Sequence, residues 1–356
     1  MAICLLVRNE FSNIHICISH HSSEYYSLNK LELYLIQNEY LFKMVDSIIL
    51  EYFDETEKQL LSAIQNGKEL SIVSNLIYKN KDKICVTPYN VKKKDYAPVF
   101  DVQYPASEMV NIHLQPYNMC YWNKCTFCGI NKKYHFDNEE TTVNALEISL
   151  NYMKAYLSKE IKYIWFIDEA IHPHKLKYIA DFFLQNNINV IWQARCRVEK
   201  LLLDKNLIEY LKRSGLKELR LGLESASSDT LKAMNKFDED FSLKVVEKIC
   251  SAYSDAGISI HFPMIIGFPG EDTYERKKTY DYLHYLCGKY PLVSFNLNVF
   301  NLDISSHVFR CPDKYGIREI YYPCPLQDFL GNILQWERGE DSEKQLFKER
   351  DQYMRE

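Results

Sequence analysis

From residue 110 onward the chain alternates six times between short apolar runs and longer amphipathic stretches, and few folds accept that pattern. The runs are "VNIHLQPYNM" at 110–119, "KYIWFID" at 162–168, "INVIWQARC" at 188–196, "ELRLGLES" at 218–225, "ISIHFPMIIG" at 258–267 and "LVSFNLNVF" at 292–300. Between them lie segments of helical period such as "TTVNALEISLNYMKAYLSK", "LLLDKNLIEYLKRSG", "FSLKVVEKICSAYSDAG" and "DTYERKKTYDYLHYL", two of which end on a stop glycine, Gly215 or Gly257. Strand and helix in strict alternation predict parallel β/α units with right-handed crossovers. Six of them make a partly open barrel, whose working residues belong at the C-terminal strand ends.

The first ninety residues read differently. "FSNIHICISHHSS" and "MVDSIILEYF" predict strands, "DETEKQLLSAIQNGKELSIV" a helix, and "NLIYKNKDKICVTP" a short hairpin. That is about half of a doubly wound α/β domain. The expected organisation is a truncated α/β domain over 1–90, a linker over 91–109, the (β/α)6 core over 110–305 and an extension over 306–356.

Composition narrows the function. The chain has 356 residues, 47% of them hydrophobic and 26% charged, with a formal net charge of -5. It is globular, and no basic field predicts nucleic-acid binding; "KKK" at 92–94 reads as a solvated loop. The opening "MAICLLVRNEF" is too short for a signal-peptide core, and no run reaches the roughly 18 apolar residues that cross a bilayer. The expected location is cytoplasmic, away from membranes.

Eight of the eleven cysteines are scattered singly, as small hydrophobes are. The other three, Cys120, Cys125 and Cys128, fall in "NMCYWNKCTFCGINKKY", directly after the first predicted strand. Reduced thiols in that position read as metal ligands. Zinc wants a fourth ligand, for which His135 is a candidate. An iron–sulfur cluster held by three thiolates leaves one iron open for something else.

At this point a resemblance becomes specific. The cysteine loop, with Phe127 before the last cysteine, is similar to the cluster loop of the radical S-adenosylmethionine (SAM) superfamily. The resemblance implies a 4Fe-4S cluster on Cys120, Cys125 and Cys128, SAM on the open iron, reductive cleavage to a 5′-deoxyadenosyl radical, and Phe127 near the adenine. "FIDEAI" resembles the stretch near the SAM amino group, which implies Asp168 and Glu169. "WQARCRV" implies Arg197 at the usual arginine position. "LGLESASSDTLKAMNK" implies Glu224 and Ser225 toward ribose and methionine, and "MIIGFPGED" implies that the backbone at Gly267 lines the adenine. Each motif alone has an ordinary reading: Asp168 as a helix N-cap, Gly267 and Gly270 as a turn. Their joint order is what carries the resemblance, from about residue 100 to 318.

Within the superfamily the chain is most similar to radical enzymes with an N-terminal cobalamin-binding domain, whose last part residues 46–88 resemble. Those relatives imply modification of an unactivated carbon of a peptide or small natural product, often by methylation, with an external electron donor. The sequence departs from their pattern in three places. Its first cysteine gap is Cys-x4-Cys rather than Cys-x3-Cys, "YFDE" replaces "GEGE", and no Asp-x-His-x-x-Gly stretch supplies an axial histidine for cobalamin. A partner protein that completes the N-terminal domain, a non-catalytic docking subunit and a zinc protein therefore stay open as alternatives. No residue reads as catalytic, the 27 tyrosines included, and Cys311 with Cys324 reads as structural rather than as an auxiliary cluster.

Overall fold

The structure of the chain, a computed structural model, describes residues 2–11, 13–19, 41–49, 54–81, 83–88, 110–114, 120–129, 151, 161–238, 241–303, 306–321, 335–336 and 343–355. His135, Cys324 and all but residue 151 of the helix expected over 141–159 lie outside them.

The N-terminal part carries α1 (Ala2–Glu10), β1 (Cys17–Ser19), β2 (Ser47–Ile49), α2 (Asp54–Gln65), β3 (Leu76–Asn80) and β4 (Lys83–Val86). The strands form one sheet in chain order, with β1 and β2 parallel and the predicted hairpin β3–β4 antiparallel, turning through Lys81 at φ 54°. Ile48 and Ile77 are buried with Ile16, Phe42, Met44 and Val45, while Ile49, Leu76 and Tyr78 pack with Leu60 and Ala63 of α2. Asp46 ties the layers together: it pairs with Arg8 of α1 and accepts the Ile16 amide at 2.7 Å.

The larger part is a parallel sheet of β5 (Val110–Leu114), β6 (Ile161–Phe166), β7 (Ile191–Arg197), β8 (Leu216–Gly222), β9 (Ser259–Ile266) and β10 (Val293–Val299), hydrogen-bonded in chain order with β5 and β10 at the edges. The helices between them are α3 (Pro173–Gln185), α4 (Lys205–Arg213), α5 (Ser228–Ala233), α6 (Leu243–Ala256) and α7 (Thr273–Lys289); α8 (His307–Arg310), β11 (Ile320–Tyr321), β12 (Gln335–Trp336) and α9 (Glu343–Tyr353) follow. Parallel strands in sequence order with right-handed crossovers put every helix on one face, so the sheet curls into a partial barrel with a concave inner side.

The sequence explains the elements locally. Asp204 caps α4 by accepting the Asn206 amide at 2.8 Å, and Gly215 follows that helix at φ 93°. Asp272 and Glu275 close a capping box on α7. Along β9, Ile260, Phe262, Met264 and Ile266 are fully buried among the helices, and the alternate residues face the lumen. Full burial of one such side chain stabilises by about 1.5–3 kcal/mol. β7, β8 and β9 thus sort an apolar outer face from a more polar inner one.

Candidate active site

The cysteine loop starts where a barrel site belongs. Cys120 forms a parallel bridge to Ala170, past the C-terminal end of β6 and two residues after Asp168. A tight turn then brings the Cys128 amide to the Cys125 carbonyl at 3.4 Å. All three cysteines are unbridged and partly exposed.

What holds the loop is Thr126, a residue the sequence did not single out. Its amide donates to the Met234 carbonyl and its hydroxyl to the Ala233 carbonyl, both at 2.9 Å, while its carbonyl accepts the Val308 amide at 3.0 Å. Asn235, at φ 50°, donates to the Lys124 carbonyl at 3.0 Å and accepts from Trp122 Nε1 at 2.9 Å. Gly129 completes the seam, since a Cβ there would collide with the Asp303 carboxylate. The loop is thereby fastened to the end of α5 on one side and the start of α8 on the other.

A buried polar layer lies beside it. The Arg197 guanidinium stacks over Trp122 at 3.6 Å from the ring centroid and donates to the Lys236 carbonyl at 2.7 Å and to Glu199 Oε1 at 3.0 Å. Its Nε is buried with no acceptor among the described residues. The Tyr121 phenol donates to the same Glu199 oxygen at 2.8 Å, and burial together with that carboxylate pushes the phenol far above its ordinary range. Lys236 donates to Glu224 Oε1 at 2.8 Å, and both side chains are nearly buried. Burial works against the Lys236 ammonium, yet the Glu224 carboxylate and Cys125 together more than offset it and hold the lysine above its usual range. Burial also raises the Cys125 thiol, with Lys236 opposing. Glu224 itself sits at φ 71°, a strained position for a non-glycine residue.

The other expected residues fall around this layer. Phe127 packs against the apolar cluster that includes Met234, Phe268, Phe300 and Val308, with Lys236 Nζ 6.0 Å from its ring. Asp168 is fully buried. Glu169 meets Arg195 at 3.5 Å, and burial raises its carboxyl. Gly267, at φ 71°, donates its amide to Glu271 Oε2 at 2.6 Å, and Leu346 of α9 covers the space where a Cβ would stand. Ser225 is turned the other way: its hydroxyl lies 3.1 Å from Thr279 of α7 and accepts the Ser227 amide at 3.0 Å. Lys236, Glu199 and Trp122 join the site without having been expected there.

The family comparison decides the class. The model of the radical SAM superfamily matches residues 114–283, which run from the end of β5 into α7. The chain carries a radical SAM domain. Among curated proteins it is similar to the anaerobic magnesium-protoporphyrin IX monomethyl ester cyclase of Rubrivivax gelatinosus, 20% identical over 259 residues, covering 66% of this chain and 44% of the relative. It is also similar to an uncharacterized methyltransferase of Pyrococcus horikoshii, 24% identical over 252 residues, covering 66% of this chain and 52% of the relative. The chain thus spans about half the length of the curated relatives it matches. Two solved structures share the fold. One is the radical SAM methyltransferase TsrM of Kitasatospora setae with tryptophan and a SAM analogue bound (TM-score 0.55, 12% identity, 88% of this chain, 68% of that one). The other is the cobalamin-dependent radical SAM enzyme OxsB (TM-score 0.55, 14% identity, 93% and 55%).

A radical SAM domain implies an iron–sulfur cluster and SAM, and the donors present suit both. The three thiols occupy one loop whose backbone is held by Thr126 and Asn235. Among the described residues no three His, Cys, Asp or Glu side chains converge on a single ion. The orphan Nε of Arg197 is a donor at the mouth of the kind that a bound anionic group satisfies.

Proposed function

We propose that this chain is a radical enzyme that cleaves SAM and uses the resulting radical to modify an unactivated carbon of a peptide or small natural product, by methylation or a related reaction. The observation that carries it is the meeting of Cys120, Cys125 and Cys128 with the Arg197, Glu224 and Lys236 layer at the C-terminal end of the barrel strands. Cys120, Cys125 and Cys128 would hold the cluster, and Phe127, Asp168, Glu169, Arg197, Glu224 and the backbone at Ser225 and Gly267 would hold SAM. When bound, the cluster supplies one electron that splits SAM into methionine and a 5′-deoxyadenosyl radical.

The chain's own part is positioning. Thr126 and Asn235 fix the cysteine loop against α5, and the Arg197–Trp122 stack seats the longer first gap of that loop. The Lys236–Glu224 pair keeps one charge of each sign at a place that water hardly reaches, where charged groups of SAM would meet them undiluted. Phe127, Phe268 and Phe300 close one side with apolar surface. Participation of cobalamin stays apart from this reading: OxsB is a cobalamin-dependent enzyme, yet the sequence here has no histidine in the expected Asp-x-His-x-x-Gly pattern.

The test is anaerobic reconstitution with iron and sulfide, followed by an assay for 5′-deoxyadenosine under a strong reductant. Cys125→Ala is expected to lose the cluster iron and all 5′-deoxyadenosine while keeping the parent's circular dichroism. A variant that still cleaves SAM at the parent rate would sink the assignment.

A further inference from the structure

The inner face of the barrel carries a row of charge that meets the residues assigned to SAM only at Glu169. In the strand registers Arg195 of β7 lies opposite Arg220 of β8, Arg220 lies opposite His261 of β9, and His261 lies opposite Ser294 of β10. All four alternate with residues buried under the helices, so all face the lumen. Arg195, Arg220 and His261 stand two residues before Arg197, Gly222 and Pro263 on their strands, about 6.6 Å deeper at roughly 3.3 Å per residue.

Two like charges directly opposite each other in a sheet are destabilising, so the Arg195–Arg220 rung needs a reason. Each guanidinium is only partly matched. Arg195 has Glu169 at 3.5 Å, with both side chains about one-third exposed. Arg220 gives only its Nε to Glu218, at 2.8 Å, and lies over the Trp165 ring at 4.7 Å. Its two terminal nitrogens have no acceptor among the described residues. Glu218 and Trp165 therefore hold the guanidinium plane still and leave its end-on fork free, the geometry that takes two coplanar oxygens. Nearby, His113 packs edge-on against Trp165 at 5.1 Å, and Trp165 Nε1 is buried with no acceptor among the described residues. His261 is fixed by Asn296 at 2.8 Å and Ser294 at 2.9 Å.

We infer that the substrate carries a carboxylate, which is held in the barrel lumen by the paired forks of Arg220 and Arg195, with a planar apolar part against Trp165. A monoanion suits the row better than a phosphate dianion, because Glu169 and Glu218 already balance much of its positive charge. Anchored there, the body of the substrate extends up toward the mouth, where the cysteine loop and the Glu224–Lys236 pair lie. This inference rests on the radical SAM reading for what is then done to the substrate, but not for its binding.

The test measures binding of a probe, 3-phenylpropionate, to the reconstituted protein by saturation-transfer NMR, beside 3-phenylpropionamide and phenyl phosphate. The carboxylate is expected to bind at least tenfold more tightly than the amide. Arg220→Gln and Arg220→Lys are both expected to lose at least tenfold in that affinity with iron content per chain unchanged, the lysine because it keeps the charge without the fork. Equal binding of acid and amide, tighter binding of the phosphate, or a lysine variant with parent affinity would each overturn the inference. Iron content and 5′-deoxyadenosine formation by the parent protein report on the radical reading separately. Their failure alongside carboxylate-selective, Arg220-dependent binding would remove the chemistry and leave the anchor.

Discussion

The Gly222→Ala variant tests the buried ion pair through a single methyl group. Gly222 ends β8, and a Cβ there would fall 2.7 Å from Lys236 Nζ and 2.9 Å from Glu224 Oε1. Each atom would have to retreat by about half an ångström or more to reach ordinary contact. Lys236 has little room for that, being nearly buried and hydrogen-bonded to Glu224 at 2.8 Å. The backbone is not the obstacle, since Gly222 lies outside the left-handed region, and alanine there would by itself add about 0.5–1 kcal/mol. Overpacking costs about 1–3 kcal/mol, and parting a buried pair approaches about 3–5 kcal/mol. The expected net loss is therefore about 1–4 kcal/mol, read as the guanidinium midpoint of the cluster-free protein. Gly288, inside α7 with nothing within 4 Å of its Cβ position, is the control: Gly288→Ala should gain about 0.5–1 kcal/mol. In a Lys236→Ala background the penalty should fall to the smaller part owed to Glu224 Oε1, because the nearer colliding group is gone. A Gly222→Ala protein as stable as the parent, or a penalty undiminished without Lys236, would refute the reasoning.

Two further perturbations address the loop after β9. Gly267→Ala combines a φ of 71° with a Cβ 2.5 Å from Leu346 Cδ1, and is expected to cost about 2–4 kcal/mol and to raise the rate at which protease releases α9; unchanged protection would separate α9 from that loop. Glu271 has its carboxyl raised by burial to about 8, against an ordinary 4.5. Its folded value is the higher one, so the folded protein favours the protonated form, and stability that is complete below pH 4.5 is lost as pH rises toward 8. At about 1.4 kcal/mol per pH unit of that window the loss is bounded at roughly 5 kcal/mol. Glu271→Gln should be free of this slope, and parallel stability profiles for parent and variant between pH 5 and 8 would contradict it.

The barrel was legible because its signals are local. Ile260, Phe262, Met264 and Ile266 alternate as a strand facing helices must, and Asp204, Gly215, Asp272 and Gly257 punctuate the helices where they occur. The place of the three cysteines beside the C-terminal strand ends was legible from their position after the first predicted strand. Lys236 was not, because a lysine at the end of "LKAMNK" reads as solvated until Gly222 and Glu224, two strand-end positions, are known to make room for it. Glu199 was hidden in the same way: Arg197 is two residues before it, but Tyr121 reaches it from the cysteine loop 78 residues away. Ser225 shows the converse: a motif identifies the residue, but only the fold shows its hydroxyl turned to Thr279. The Arg195–Arg220 rung needed strand register, which no single-chain pattern supplies.

The C-terminal helix α9 has a consequence beyond the loop it covers. It packs along β10, the last strand of the sheet, and is fastened by Arg276 to Glu349 at 3.2 Å and by the stack of Tyr353 on Tyr280 at 3.3 Å. A strand in that position offers its backbone to any passing chain, and proteins that leave such a border bare tend to join sheet to sheet. α9 serves as the hem of the barrel, so shortening the chain by this one helix would be felt first as self-association in concentrated solution, before any change in the chemistry at the mouth.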